Sequence, residues 1–104
     1  MKEKIFIRWL VPEDRSRQVI VLEGREITRF VVQYETLVME DWLPVVRYDT
    51  AHGFAHKDIL SPSGEAEKET VGSYTCNEAL SNAETDIKLN WQRYKAECLK
   101  KMKG

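Results

Sequence analysis

Apolar and polar residues alternate with a period near two through the first half of the chain and near 3.6 through its last third. The first half therefore predicts strands and the last third a helix. Lys4 to Val11, rich in Ile, Phe and Trp, reads as a strand ending at the polar Pro12-Glu13-Asp14. Gln18 to Leu22 gives a second short strand, and Glu23-Gly24-Arg25 a tight turn into the longest strand signal, Glu26 to Met39. Trp42 to Thr50 continues in the same style after Glu40-Asp41, and so short a connection makes it antiparallel to its predecessor. A turn made only of Glu40-Asp41 sets Leu43 opposite Val38, Val45 opposite Thr36 and Arg47 opposite Tyr34. Gly53 breaks the pattern, Phe54 to Leu60 offers one more strand, and the polar EAEKETVG that follows reads as a mobile loop.

Thr75-Cys76-Asn77-Glu78 has Thr and Glu at capping-box spacing, so a helix is expected to start there. Leu80, Ala83, Ile87, Trp91, Tyr94, Cys98 and Met102 then recur every three or four residues and form one apolar stripe that needs a partner surface. Lys100, Lys101 and Lys103 suit the negative end of the helix dipole. The expected architecture is a single α+β domain over residues 1–104, with a four- or five-stranded antiparallel meander packed on one long C-terminal helix.

A length of 104 residues allows one core, and 42% hydrophobic with 32% charged residues describes a soluble globular chain. The net charge of −1 supplies no global field toward nucleic acid or an anionic membrane, so an RNA-binding surface would have to be a local patch. KIFIRWLV is too short for an export signal and contains Arg8; with no membrane span, the cytoplasm is the expected compartment. Cys76 and Cys98 lie on the same helix, roughly 33 Å apart at 1.5 Å per residue, and should be free thiols.

Candidate chemistry concentrates in RYDTAHGFAH, Arg47 to His56, which holds both histidines. Three readings apply. His52 and His56 are four residues apart, a ligand spacing on helices, but on a straight strand it separates them by about 13 Å. Only a turn at Gly53 would bring the rings together, and clear third and fourth ligands are lacking, so no metal or cofactor is expected. In the second reading Asp49, His52 and His56 perform metal-free acid–base chemistry, while Arg47, Tyr48 and Lys57 hold a phosphate. A phosphodiesterase needs a base, an acid and a cation of this kind. In the third, Asp49 and Thr50 make turn hydrogen bonds, Phe54 packs in the core, and this end of the sheet or an open sheet edge docks a protein partner without catalysis.

Val45 to Asp58 and Asn90 to Tyr94 resemble a family of small, uncharacterised prokaryotic proteins marked by a V-x-R-Y-D-x-x-H-G-x-x-H-x-D run and a later N-W-x-R-Y element. The resemblance implies an antiparallel sheet packed on a long helix. Asp49, His52, Gly53 and His56 are also similar to a stretch in small toxins of prokaryotic toxin–antitoxin modules. That likeness implies RNA as a target and an antitoxin-like protein as a partner.

Overall fold

The computed structural model describes residues 1–50, 55–72 and 75–102. Six strands follow one another: β1 (Lys2–Val11), β2 (Asp14–Glu23), β3 (Glu26–Val38), β4 (Asp41–Asp49), β5 (His56–Leu60) and β6 (Ala66–Thr70). Each pairs antiparallel with its neighbours in the order β1-β2-β3-β4-β5-β6, and the helix α1 (Cys76–Met102) closes the described chain.

The expected α+β meander is present, with six strands rather than four or five. The additional strand, β6, lies in the segment expected to be a loop. All five of its residues are exposed, so no apolar signal announces it. Opposite charges align across the ladder instead, Lys57 facing Glu69 and Asp58 facing Lys68. Such pairs each favour the register modestly, and a charged outer strand discourages further pairing at that edge.

Turn chemistry sets the other boundaries. Gly24 has φ of 61° at the first position of the two-residue turn between Glu23 and Glu26, where a side chain would be strained. The β3–β4 turn is Met39-Glu40, not Glu40-Asp41, and both residues have positive φ, 49° and 75°. Two positive φ values give the turn whose twist matches a hairpin. Val38 therefore faces Asp41 and Leu43 faces Thr36, two residues from the expected register. A bulge between Pro44 and Val46 then sets Val46 opposite Tyr34 and Arg47 opposite Gln33. The bulge takes back one of the two residues of displacement, so the expected pairs Val45–Thr36 and Arg47–Tyr34 do not form and Arg47 ends one residue from its expected partner.

Thr75 caps α1 as expected: its Oγ1 accepts the Glu78 N–H at 3.2 Å and its hydroxyl donates to Glu78 Oε1 at 3.1 Å. The helix lies on β3 and β4. Ala79, Leu80, Ala83, Ile87, Tyr94 and Cys98 are buried against Phe30, Val32, Tyr34, Val46 and Tyr48. Trp91 is half-buried, its ring meeting Tyr34 edge-on at 6.1 Å, while Met102 at the end of the stripe is exposed. Both cysteines are free thiols, and burial pushes the Cys98 thiol up. No helix among the described residues is long and apolar enough to cross a membrane.

Candidate functional site

Alternation along β4 and β5 divides the sequence-predicted residues between the two faces of the sheet. Tyr48 and Lys57 are cross-strand partners facing α1. Arg47, Asp49 and His56 point the other way, with Asp49 opposite His56 and Arg47 opposite Asp58. Asp49 and His56 are therefore brought together, Arg47 lies beside them, and Tyr48 and Lys57 are separated from all three by the sheet. His52 and Gly53 lie outside the described residues, as does the convergence of His52 with its neighbours.

Under the helix, Asp86 is the centre of a polar cluster. Its Oδ2 accepts the hydroxyls of Tyr48 and of Tyr94, the latter at 2.7 Å, and its Oδ1 accepts the Asn90 amide at 2.8 Å. Lys57 donates to Tyr94 Oη at 2.6 Å and lies 3.4 Å from Asp86. Burial alone would raise the Asp86 carboxyl; the two tyrosine hydroxyls, Lys57 and Asn90 outweigh it and hold the carboxyl below its ordinary value. Burial and the neighbouring Asp86 charge push both tyrosines up, so they remain protonated donors and poor bases. Desolvation would lower Lys57, but its bond to Tyr94 and the charges of Asp86 and Glu69 raise it. The cluster is a satisfied clamp between helix and sheet, and it occupies the Lys57 ammonium expected to bind phosphate.

A second clamp inverts the arrangement, with its carboxylate on the sheet and its lysine on the helix. Asp14, fully buried, accepts the Tyr34 hydroxyl at 2.6 Å and the Lys95 ammonium at 3.0 Å. Burial would raise its carboxyl, but the bonds from Tyr34, Lys95 and Thr36 hold it lowered. Sequence reasoning missed Asp14, Asp86 and Lys95. The available signal was Asp86-Asn90-Tyr94, polar groups four residues apart beside the apolar stripe.

The helix-free face carries a different assembly. Arg47 Nε donates to Gln33 Oε1 at 2.8 Å, Gln33 Nε2 to Glu35 Oε2 at 2.5 Å, and Arg15 Nε to Glu35 Oε1 at 2.8 Å. Arg15 also stacks on Trp42, 3.9 Å from the ring centroid, with Trp9 5.7 Å beyond. Farther along β1, Ile5 and Ile7 follow Trp9 on this face, and the three are 55%, 45% and 58% exposed. Val31 on β3 adds another exposed aliphatic group. Among the described residues no strand lies beside the far edge of β1.

Among the described residues no group of three or more His, Cys, Asp or Glu is placed to hold a metal ion. No curated protein and no solved structure matches the chain. A family model does match, over residues 1–104, and the chain belongs to that family, a domain of unknown function (DUF7718).

Proposed function

We propose that this protein is a non-catalytic binding module whose helix-free sheet face, together with the open edge of β1, docks a partner protein. The observation that carries the reading is the exposed row Ile5, Ile7 and Trp9 on a strand whose outer edge pairs with no other strand among the described residues. Exposed apolar groups of this size, contiguous along a sheet edge, favour burial against another chain, which can add main-chain hydrogen bonds to β1. The overall charge of −1 also favours a protein over a polyanion.

The experiment is affinity purification from native cells with the wild type, an Ile5→Lys/Ile7→Lys variant and His56→Gln. A stoichiometric partner protein should accompany the wild type and His56→Gln, resist ribonuclease, and be absent from the double variant. Retention by the double variant, or loss on ribonuclease treatment, overturns the reading.

The pairing of Asp49 with His56, with Arg47 on the same face, favours a second reading as an RNA-directed phosphodiesterase. In that mechanism Asp49 orients the His56 imidazole for proton transfer, Arg47 faces the phosphate, and His52 supplies the second acid–base group. Two carboxylates, Asp49 and Asp58, share this face with Arg47, which weakens its attraction for a phosphate. Cleavage of a short RNA by the wild type, lost in folded His56→Ala, would establish this reading over the first. Equal cleavage by the variant would remove it.

A further inference from the structure

We propose that the partner of the β1 edge is a second copy of this chain, the two β1 strands pairing antiparallel about a two-fold axis through Ile7. The inference rests on the docking reading above and names its partner. A contrast between the two outer strands of the sheet points to it. β6 is five residues long, fully exposed, and carries Glu67, Lys68 and Glu69, the ordinary means of keeping an edge unpaired. β1 has ten residues, and Ile5, Phe6, Ile7 and Trp9 are between 42% and 58% exposed. Because α1 lies on β3 and β4, neither face of β1 is covered beyond the half-buried Leu10. A strand of that length and composition is built to be paired on its outer edge as well.

Strand geometry restricts how β1 can pair with itself. A continuous sheet keeps each side chain on its own face, so the axis stands perpendicular to the sheet and one residue must face its own copy. The side chains then select that residue. With Ile7 on the axis, Ile5 faces Trp9 of the partner subunit and Ile7 faces its own copy, so the exposed apolar row closes on itself. On the helix side Arg8, which lies 3.9 Å from Glu84, faces Phe6 of the partner subunit, a cation against a ring. Lys4 faces Leu10, at the β1 bulge.

Other axes are worse. An axis at Phe6 sets Lys4 opposite Arg8 twice, and one at Ile5 sets Lys2 opposite Arg8. One at Lys4 or Arg8 puts like charges on the axis itself, and one at Trp9 shortens the paired stretch to Ile7–Val11. Like charges directly opposite each other destabilise a strand pair, so the cations of β1 exclude neighbouring registers rather than pairing as such. A net charge of −1 on each copy adds little repulsion.

The test begins with sedimentation of the purified chain from micromolar to millimolar concentration, which should show a monomer–dimer equilibrium. Ile7→Lys, which puts like charges on the axis, should weaken the dimer at least about tenfold. The register is read with single cysteines and a short bifunctional thiol reagent in a Cys76→Ser background, where the remaining Cys98 is buried. Ile7→Cys should cross-link to its own copy. Ile5→Cys alone should not, because its two copies would stand about 14 Å apart at 3.4 Å per residue, whereas Ile5→Cys mixed with Trp9→Cys should. A chain that stays monomeric overturns the inference, as does a dimer that folded Ile7→Lys leaves intact or that cross-links through Ile5→Cys alone. In each of these cases the docking reading still stands if a different protein is captured from native cells and lost in Ile5→Lys/Ile7→Lys, and it falls too if none is. Should Ile7→Lys fail to fold, the wild-type sedimentation and the cross-linking pattern decide it.

Discussion

The two faces of the sheet use the same residue types to opposite ends. On the helix side, tyrosine, carboxylate and lysine are drawn into clamps around Asp14 and Asp86, surrounded by Phe30, Val32 and Ile87. On the other side, arginine, glutamate and tryptophan form a ladder across β2, β3 and β4 while Ile5, Ile7 and Trp9 stay in water. Burial decides the difference. A polar group under the helix is costly unless paired, so its partners are fixed; on the open face the Arg15–Glu35 pair is covered to a similar degree, and what water reaches is the row Ile5, Ile7 and Trp9. Stability should therefore respond to the helix side, and binding to the open side.

The largest effect should come from the core between the layers. Phe30, 2% exposed, packs within the cluster that includes Ile87, and Phe30→Ala should cost about 3–5 kcal/mol in urea unfolding. A loss below about 1 kcal/mol would mean that the helix is not the cover that holds the sheet.

Asp14→Ala should cost about 2–3 kcal/mol, because the buried Tyr34 hydroxyl loses its acceptor and Lys95 its carboxylate. The pH dependence has a definite sign. Asp14 and Asp86 have folded values below their unfolded ones, so their contribution is present above the unfolded value near 4 and is lost as pH falls through the folded one. Lys57 is raised, so its contribution is present below its unfolded value near 10.4 and is lost as pH rises through the folded one. Urea melts at pH 7 and pH 3 should show Asp14→Asn less sensitive to acid than the wild type. Equal sensitivity would remove Asp14 as a source of the acid limb.

Much of this frame is legible in the chain. The Thr75 cap and the run from Leu80 to Cys98 announce α1, because helical periodicity and a capping box are local signals. β1 to β4 are legible as elements for the same reason. β6 is not, because cross-strand charge pairing with β5 rather than apolar alternation defines it. Register failed at Met39-Glu40, since neither residue is one that usually accepts positive φ. The helix-side clamps span up to 81 residues in sequence, a separation no local pattern encodes. At the RYDTAHGFAH stretch the reading of Trp42 to Thr50 as one strand already implies that Tyr48 points away from Arg47 and Asp49; the pairing with β5 that sets Lys57 beside Tyr48 and His56 beside Asp49 is a long-range register that no local pattern encodes.

The Met39-Glu40 turn supplies the next effect in size, with the opposite sign. The double substitution Met39→Asn/Glu40→Gly should raise stability by about 1 kcal/mol, because asparagine and glycine both tolerate the left-handed conformation that these two positions adopt. The exposed Met39 side chain loses little on removal. Thermal melts measure it, and a lowered midpoint would show that the turn's side chains make contacts that outweigh the relief.

The smallest effect on stability belongs to the open face, where it sharpens the comparison most. Ile5→Lys and Ile7→Lys place charges on β1 where the native side chains are half in water, so unfolding free energy should change by no more than about 0.5 kcal/mol for each. The spectra should remain those of the native fold. A lysine on an edge strand does, however, oppose the addition of another strand and the burial of this row under a partner. Both variants should therefore lose partner binding by a large factor while unfolding at nearly the wild-type denaturant concentration, the reverse of Phe30→Ala measured under conditions where that variant is still folded. If instead Ile7→Lys unfolds the protein as readily as Phe30→Ala does, the face taken here as a docking surface is part of the core, and the division between the two sides of the sheet collapses.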